Sequence, residues 1–129
     1  MMIVCPQFYC QLDMARYLCS YIVKVSLDQL HPLVAEMLGS CNFEMLYQIS
    51  DYMMARETKG KVPFGKLVTV EVLIDATTAT DQQVQVNFVV KNEELPLQSN
   101  NHCKQLFDLV QKTIAKSPQW QLLENVSSL

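Results

Sequence analysis

The stretches KLVTVEVLID, residues 66–75, and QVQVNFVVK, residues 83–91, decide the fold. In the first, Val68, Val70, Val72 and Ile74 stand on one side of a two-residue repeat, against Leu67, Thr69, Glu71, Leu73 and Asp75. In the second, Val84, Val86, Phe88 and Val90 oppose Gln85, Asn87, Val89 and Lys91. Successive side chains leave a strand on opposite faces, so a period of two with β-branched residues marks a strand. The link at residues 76–82 is polar and has no helical spacing. The two runs therefore read as an antiparallel hairpin with one wholly apolar face.

Towards the N-terminus, residues 43–57 (FEMLYQISDYMMARE) carry two patterns. Leu46, Ile49 and Met53 fit a helix, whereas Phe43, Met45, Tyr47, Ile49 and Met53 fit one face of a strand interrupted by Asp51. Met, Leu, Ala and Glu favour helix by propensity. The strands that follow need a partner, and Lys59 with Gly60 supplies a turn, so a single strand is the preferred reading. Further upstream, Tyr17, Cys19, Tyr21, Val23 and Val25 alternate with Leu18, Ser20, Ile22 and Lys24, which is another strand. Between them, Leu27, Leu30, Val34 and Leu38 recur at helical spacing, with Ser26 or Asp28 as cap and Gly39 as stop. Pro32 is tolerable there only in the first turn.

Towards the C-terminus, Pro96 marks a loop, and Ser99, Asn100 or Asn101 can cap a helix whose stripe is Cys103, Leu106, Phe107, Val110 and Ile114. Ser117 and Pro118 end it. The order is strand, helix, three strands, helix. This predicts an α+β domain with a four-stranded, mainly antiparallel sheet and both helices on one face.

A length of 129 residues suits one domain, residues 1–129, with an extension at 1–15 and a tail at 117–129. Met14 opens the regular pattern and reads as a natural start, with residues 1–13 as an added segment. The tail keeps Trp120, Leu122, Leu123 and Val126, too apolar to float in solvent. Half the residues are hydrophobic and 18% are charged, which excludes a disordered chain. Ten Lys and Arg against 13 Asp and Glu leave a net charge of −3, which argues against a general nucleic-acid binder. The N-terminal MMIVCPQFYC has no cation before its apolar run, and Pro6 breaks it, so it does not read as a signal peptide. No stretch approaches the ~18 apolar residues of a membrane span. Cys5, Cys10, Cys19, Cys41 and Cys103 are odd in number and irregular in spacing. They predict buried thiols in a reduced, cytoplasmic chain rather than a disulfide framework.

Motifs for chemistry are sparse. Three glycines cannot build a GxGxxG or GxxxxGK[ST] cradle, so no cofactor is expected. Neither Cys5 with Cys10 nor His102 with Cys103 has the doubled ligand spacing of a zinc site, so no metal is expected, and His102 reads as a capping or surface residue. Cys41, in an apparently exposed GSCN loop, has only His31 as a candidate base. No catalytic residue is assigned. Asp51 and Glu71 lie in otherwise apolar or mixed strands, and either would be a candidate acid or base if buried. With Tyr52 and Arg56 they outline a candidate ligand pocket between sheet and helices. Lys59, Lys61 and Lys66 around Phe64 form the densest basic group, the basis for a third reading as a single-strand nucleic-acid binder.

The most informative pattern concerns the second face of the sheet. Two helices cover one side, and a face that meets water should be polar. Instead it would carry Leu18, Ile22, Leu46, Tyr52, Met54, Leu67, Leu73 and Val89 beside Glu71, Asn87 and Lys91. A broad apolar patch marks an interface. Either the N-terminal segment or the tail covers it, or another chain does, most simply a second copy in a two-fold dimer. The leading expectation is a non-enzymatic protein-interaction module; the alternative is a small-ligand-binding domain, catalytic or not, with its pocket between sheet and helices.

The stretches ISDYMMARE, FGKLVTVEVLIDATTATD and NFVVKNEELPLQSNNHCKQLFD resemble a family of short cyanobacterial proteins whose function is not established. The resemblance spans residues 16–116. It implies a soluble cytosolic protein and transfers no catalytic residue.

Overall fold

The computed structural model describes residues 15–60, 62–93, 101–117, 120 and 122–128. Its strands are β1 (Ala15–Val23), β2 (Phe43–Ile49), β3 (Tyr52–Glu57), β4 (Thr69–Asp75), β5 (Val84–Asn92) and β6 (Leu122–Ser128). Its helices are α1 (Leu27–Ser40) and α2 (His102–Lys116). The strands form one sheet in the order β2-β3-β4-β5-β1-β6, with every neighbouring pair antiparallel. The α+β class with two helices holds, but the sheet has six strands where the alternation alone predicted four.

Two local events account for the difference. Residues 43–57 are not one strand: Ser50 and Asp51 turn the chain, and Ile49 then pairs with Tyr52. Asp51 is therefore not an interruption of a strand but the turn itself. Its carbonyl accepts the Ile74 N–H at 2.9 Å, and the Ser50 carbonyl accepts the His31 Nε2–H at 2.9 Å, so the hairpin tip is braced from β4 and from α1. The second event is at the tail, where β6 adds to the edge of the sheet beside β1 instead of folding over the face opposite the helices. Residues 1–14, including Met14, Cys5 and Cys10, lie outside the described residues, as does Lys61.

Each helix is set by its caps. The Ser26 hydroxyl accepts the Gln29 N–H, and the Gln29 side chain returns to the Ser26 N–H, which closes a capping box. Pro32 sits inside α1 rather than in its first turn, yet the helix continues to Ser40. Asn42 then takes a left-handed φ of 69°, doing at the C-terminus what Gly39 was expected to do. At α2 the Asn101 side chain accepts the Lys104 N–H at 3.0 Å.

Leu30, Val34, Met37 and Leu38 of α1 and Cys103, Phe107, Val110 and Ile114 of α2 are buried on the same sheet face. They meet Tyr17, Cys19 and Tyr21 of β1, Met53 and Ala55 of β3, Val70 and Val72 of β4, and Val86, Phe88 and Val90 of β5 in one core. Trp120 joins this side too, with its ring 6.1 Å from Phe88. Cys19, Cys41 and Cys103 are buried. The thiol of Cys41 thus does not lie exposed in its loop; it faces the Thr113 hydroxyl at 3.4 Å. No helix among the described residues is long and apolar enough to cross a membrane.

Phe107 stacks on Tyr17 at 5.4 Å and is 1% exposed. Removing its ring leaves a void that neighbours on a rigid sheet cannot fill. Phe107→Ala is expected to cost about 3–5 kcal/mol, read from denaturant unfolding; a loss under ~0.5 kcal/mol would show that α2 does not anchor the core.

Candidate functional site on the open sheet face

The face opposite the helices is ordered in rows by the strand register. At one end Glu44, Arg56, Thr69, Lys91 and Arg16 stand side by side across β2, β3, β4, β5 and β1. The next row is Tyr47, Met54, Glu71, Val89 and Leu18. The third is Ile49, Tyr52, Leu73, Asn87 and Ser20, and beyond it lie Asp75, Gln85 and Ile22. The face thus passes from a cationic margin, through a row centred on one carboxylate, to an apolar and neutral-polar band.

Of the residues expected here, Leu18, Ile22, Tyr52, Met54, Leu73 and Val89 do occupy the open face. Their exposure is uneven. Leu73 is exposed, Leu18 and Ile22 are half-buried, and Val89 is buried. Leu67 is not on β4. A 3-10 turn at Phe64–Lys66 precedes it, and Leu67 is buried at the end of the sheet. Leu46 is the extra residue of a bulge: the register jumps between Met45 and Tyr47. A bulge shifts the alternation by one residue. Tyr47 and Ile49, which unbroken alternation put with the core, are thereby moved to the open face. Tyr47, Ile49 and Leu73 are 52%, 46% and 42% exposed and form the apolar corner of the face, with Leu46 51% exposed at the bulge beside them. Tyr47 and Ile49 were missed by sequence reasoning because nothing in FEMLYQIS announces a bulge.

Of the residues proposed for a ligand pocket, Tyr52, Arg56 and Glu71 share the open face, away from the helices, and Asp51 is in the hairpin turn. The Tyr52 hydroxyl donates to Glu71 Oε2 at 2.5 Å, and Lys91 Nζ lies 3.0 Å from Glu71 Oε1. The Tyr52 hydroxyl, and after it Lys91 and Arg16, hold the Glu71 carboxyl below its ordinary range against the opposing pull of burial. The same bond pushes the Tyr52 phenol up to about 12. Glu71 is therefore a fixed carboxylate with both oxygens engaged, not an acid poised to give up a proton.

The other candidates for chemistry are committed elsewhere. His102 is not a free surface residue: its Nε2 lies 2.9 Å from both oxygens of the buried Glu57, which also accepts the Val68 N–H. The two meet although they are far apart in the chain, a pairing that no local spacing discloses. His31 and Cys41 are not brought together, since one bonds Ser50 and the other Thr113. Burial pushes the Cys19 thiol up to about 11, so it stays protonated and unreactive near neutral pH. Among the described residues no group of three His, Cys, Asp or Glu side chains is placed to hold a metal ion.

The Tyr52–Glu71 bond has a pH signature. A carboxyl whose folded pKa lies below its unfolded value stabilises the fold at higher pH, and that contribution fades as pH falls through the folded value. Stability should therefore drop as pH is lowered below the ordinary carboxyl value of 4.5. Tyr52→Phe removes the largest cause, so the Glu71 carboxyl, followed by ¹³C NMR, should titrate at higher pH than in the wild type. An unchanged midpoint would show that the Tyr52 hydroxyl does not set it.

Comparison of the chain with protein-family models, curated proteins and solved structures finds no match in any of the three.

Proposed function

We propose that the chain is a non-enzymatic protein-interaction module that pairs with a second copy of itself through the apolar corner of its open sheet face. The observation that carries this reading is the contiguity of Tyr47, Ile49, Tyr52, Met54 and Leu73 on the face opposite both α1 and α2. Interface centres are rich in aromatic residues and Met and poor in charge, and this corner has that composition. A two-fold axis through it sets the same patch against itself, so one surface serves both partners. The corner is narrower than the whole face, because Val89 is buried and Leu18 and Ile22 are half-buried. A standard interface removes roughly 800 Å² per partner, so a stable dimer needs the flanking rows as well. A non-enzymatic role is supported by the commitments described above: the thiols of Cys19, Cys41 and Cys103 are buried, and Glu71 is locked between Tyr52 and Lys91. Buried Cys19, Cys41 and Cys103 suit a reducing cytoplasm.

Sedimentation or light scattering of the purified chain at micromolar concentration tests the proposal. Twice the chain mass is expected. Leu73→Lys should weaken association at least about tenfold, or ~1.4 kcal/mol, with little effect on unfolding, because Leu73 is exposed in the single chain. A monomer at every concentration, or a variant that associates like the wild type, would refute it.

A further inference from the structure

The geometry points to a binding site for a small organic carboxylate at the cationic end of the open face, held by Arg56 and Lys91 with its apolar part against Phe64 and Leu67. This goes beyond self-association and uses the opposite end of the face from Leu73. A pocket of about 200 Å³ opens there, with Arg56, Thr69 and Lys91 on its floor and Phe64, Leu67 and Glu93 around it.

Arg56 is the central observation. Its side chain is half-buried and, among the described residues, has no hydrogen bond or ion pair. A guanidinium is charged at every working pH, and a cation that loses hydration without gaining a partner is held at a cost that an anion would offset. Its planar fork matches the two oxygens of a carboxylate. Lys91, two strands away in the same row, is already positioned, because Glu71 holds its ammonium at 3.0 Å and Tyr52 holds Glu71. An ammonium has three donors, so this pairing does not exhaust it. Thr69 stands between the two cations and offers a hydroxyl. Arg16, opposite Lys91, adds a third positive charge to the row.

Size and charge narrow the ligand. The pocket is below the ~300–1,000 Å³ typical of drug-sized ligand sites, so its occupant is small. Glu71 offsets one cation, Glu93 lines the pocket and Glu44 stands opposite Arg56. Those carboxylates repel a doubly charged phosphate more than a single carboxylate. Phe64 is 70% exposed and, with Leu67, gives the pocket an apolar wall for the rest of the molecule. The carboxylate can belong to a free acid or to the C-terminus of a peptide, and the test separates these.

Amide shifts of Gly65 and Thr69 in the ¹⁵N-labelled full chain would be followed during titration with benzoate, benzamide and inorganic phosphate. Two more titrants are a short peptide ending in a free Phe carboxylate and its C-terminal amide. Saturable shifts with benzoate, none with benzamide, and at least about tenfold weaker binding in Arg56→Gln are expected. Unfolding curves and sedimentation of Arg56→Gln matching the wild type show that neither fold nor self-association carries the loss. Lys91→Gln serves as the readout if Arg56→Gln does not fold, and should weaken binding likewise. A free-carboxylate peptide binding more tightly than benzoate, with its amide inert, assigns the site to a chain terminus; equal or weaker peptide binding assigns it to a free acid. The inference is overturned if no carboxylate binds saturably, if phosphate binds as well as benzoate, or if the folded variant binds like the wild type.

Discussion

The antiparallel ladder between β1 and β5 is the interaction on which the rest of the structure depends. It runs in unbroken register from Ala15 opposite Asn92 to Val23 opposite Val84. It joins the first strand to the fifth, so the hairpins formed locally by β2, β3, β4 and β5 are closed onto a distant segment. This closure also decides where the helices go. From β1 the chain crosses through α1 to β2 at one edge; from β5 it crosses through α2 in the other direction to β6 at the other edge. β1 and β5 are antiparallel, so two crossovers of the same hand, leaving in opposite directions, put both helices on one face. The shared hand of such connections is a general consequence of strand twist. A second face that neither α1 nor α2 covers follows from the topology, whatever its residues are.

Most of the framework was legible because it rests on uninterrupted local patterns. The alternation in residues 66–75 and 83–91, the stripe of α2 and the caps at Ser26 and Asn101 needed no tertiary information. What was lost turns on single residues or on distant partners. In FEMLYQISDYMMARE, a turn at Ser50 and Asp51 is hidden because neither residue is Gly or Pro and neither takes a positive φ. The bulge at Leu46 is hidden because a bulge changes the phase of the pattern, not its composition. Those two events convert one apparent strand into a hairpin and carry Tyr47 and Ile49 to the other face. The open face was foreseen in outline from Leu18, Ile22, Tyr52, Met54 and Leu73, but Tyr47 and Ile49 of its most exposed corner were not. Glu57 and His102 were illegible for a different reason: their bond exists only once β3 and the start of α2 have met.

The rows of the open face separate the two proposed tasks, which compete when mixed. An apolar contact is weakened by charges it must desolvate, whereas a charged pocket gains from neighbouring charges of the same sign. Here the cations of Arg16, Arg56 and Lys91 occupy one row and Tyr47, Ile49, Tyr52 and Leu73 lie further along the strands. Glu71 lies between them, and its two oxygens face in both senses: one to Lys91 in the cationic row, one to Tyr52 in the apolar band. A carboxylate among hydrophobic neighbours would ordinarily weaken the sheet. With both oxygens satisfied it instead fixes the rotamers of one residue on each side, and so sets the boundary between the two regions.

The exposed corner raises a problem of its own, because β2 is an edge strand and carries Leu46, Tyr47 and Ile49 in the open. A long, flat apolar edge invites uncontrolled pairing. Three features of β2 oppose that. The bulge at Leu46 breaks the regular spacing of its outward N–H and C=O groups and adds twist. Glu44 and Gln48 place polar side chains on either side of the bulge. The tip is held by His31 to Ser50 and by Ile74 to Asp51, so it cannot swing out to present a straight edge. Edge pairing is thereby disfavoured while the side-chain face of the same strand stays open. The proposed contact through that corner is thereby directed to the face of the sheet, where side chains and not backbone groups would choose the partner.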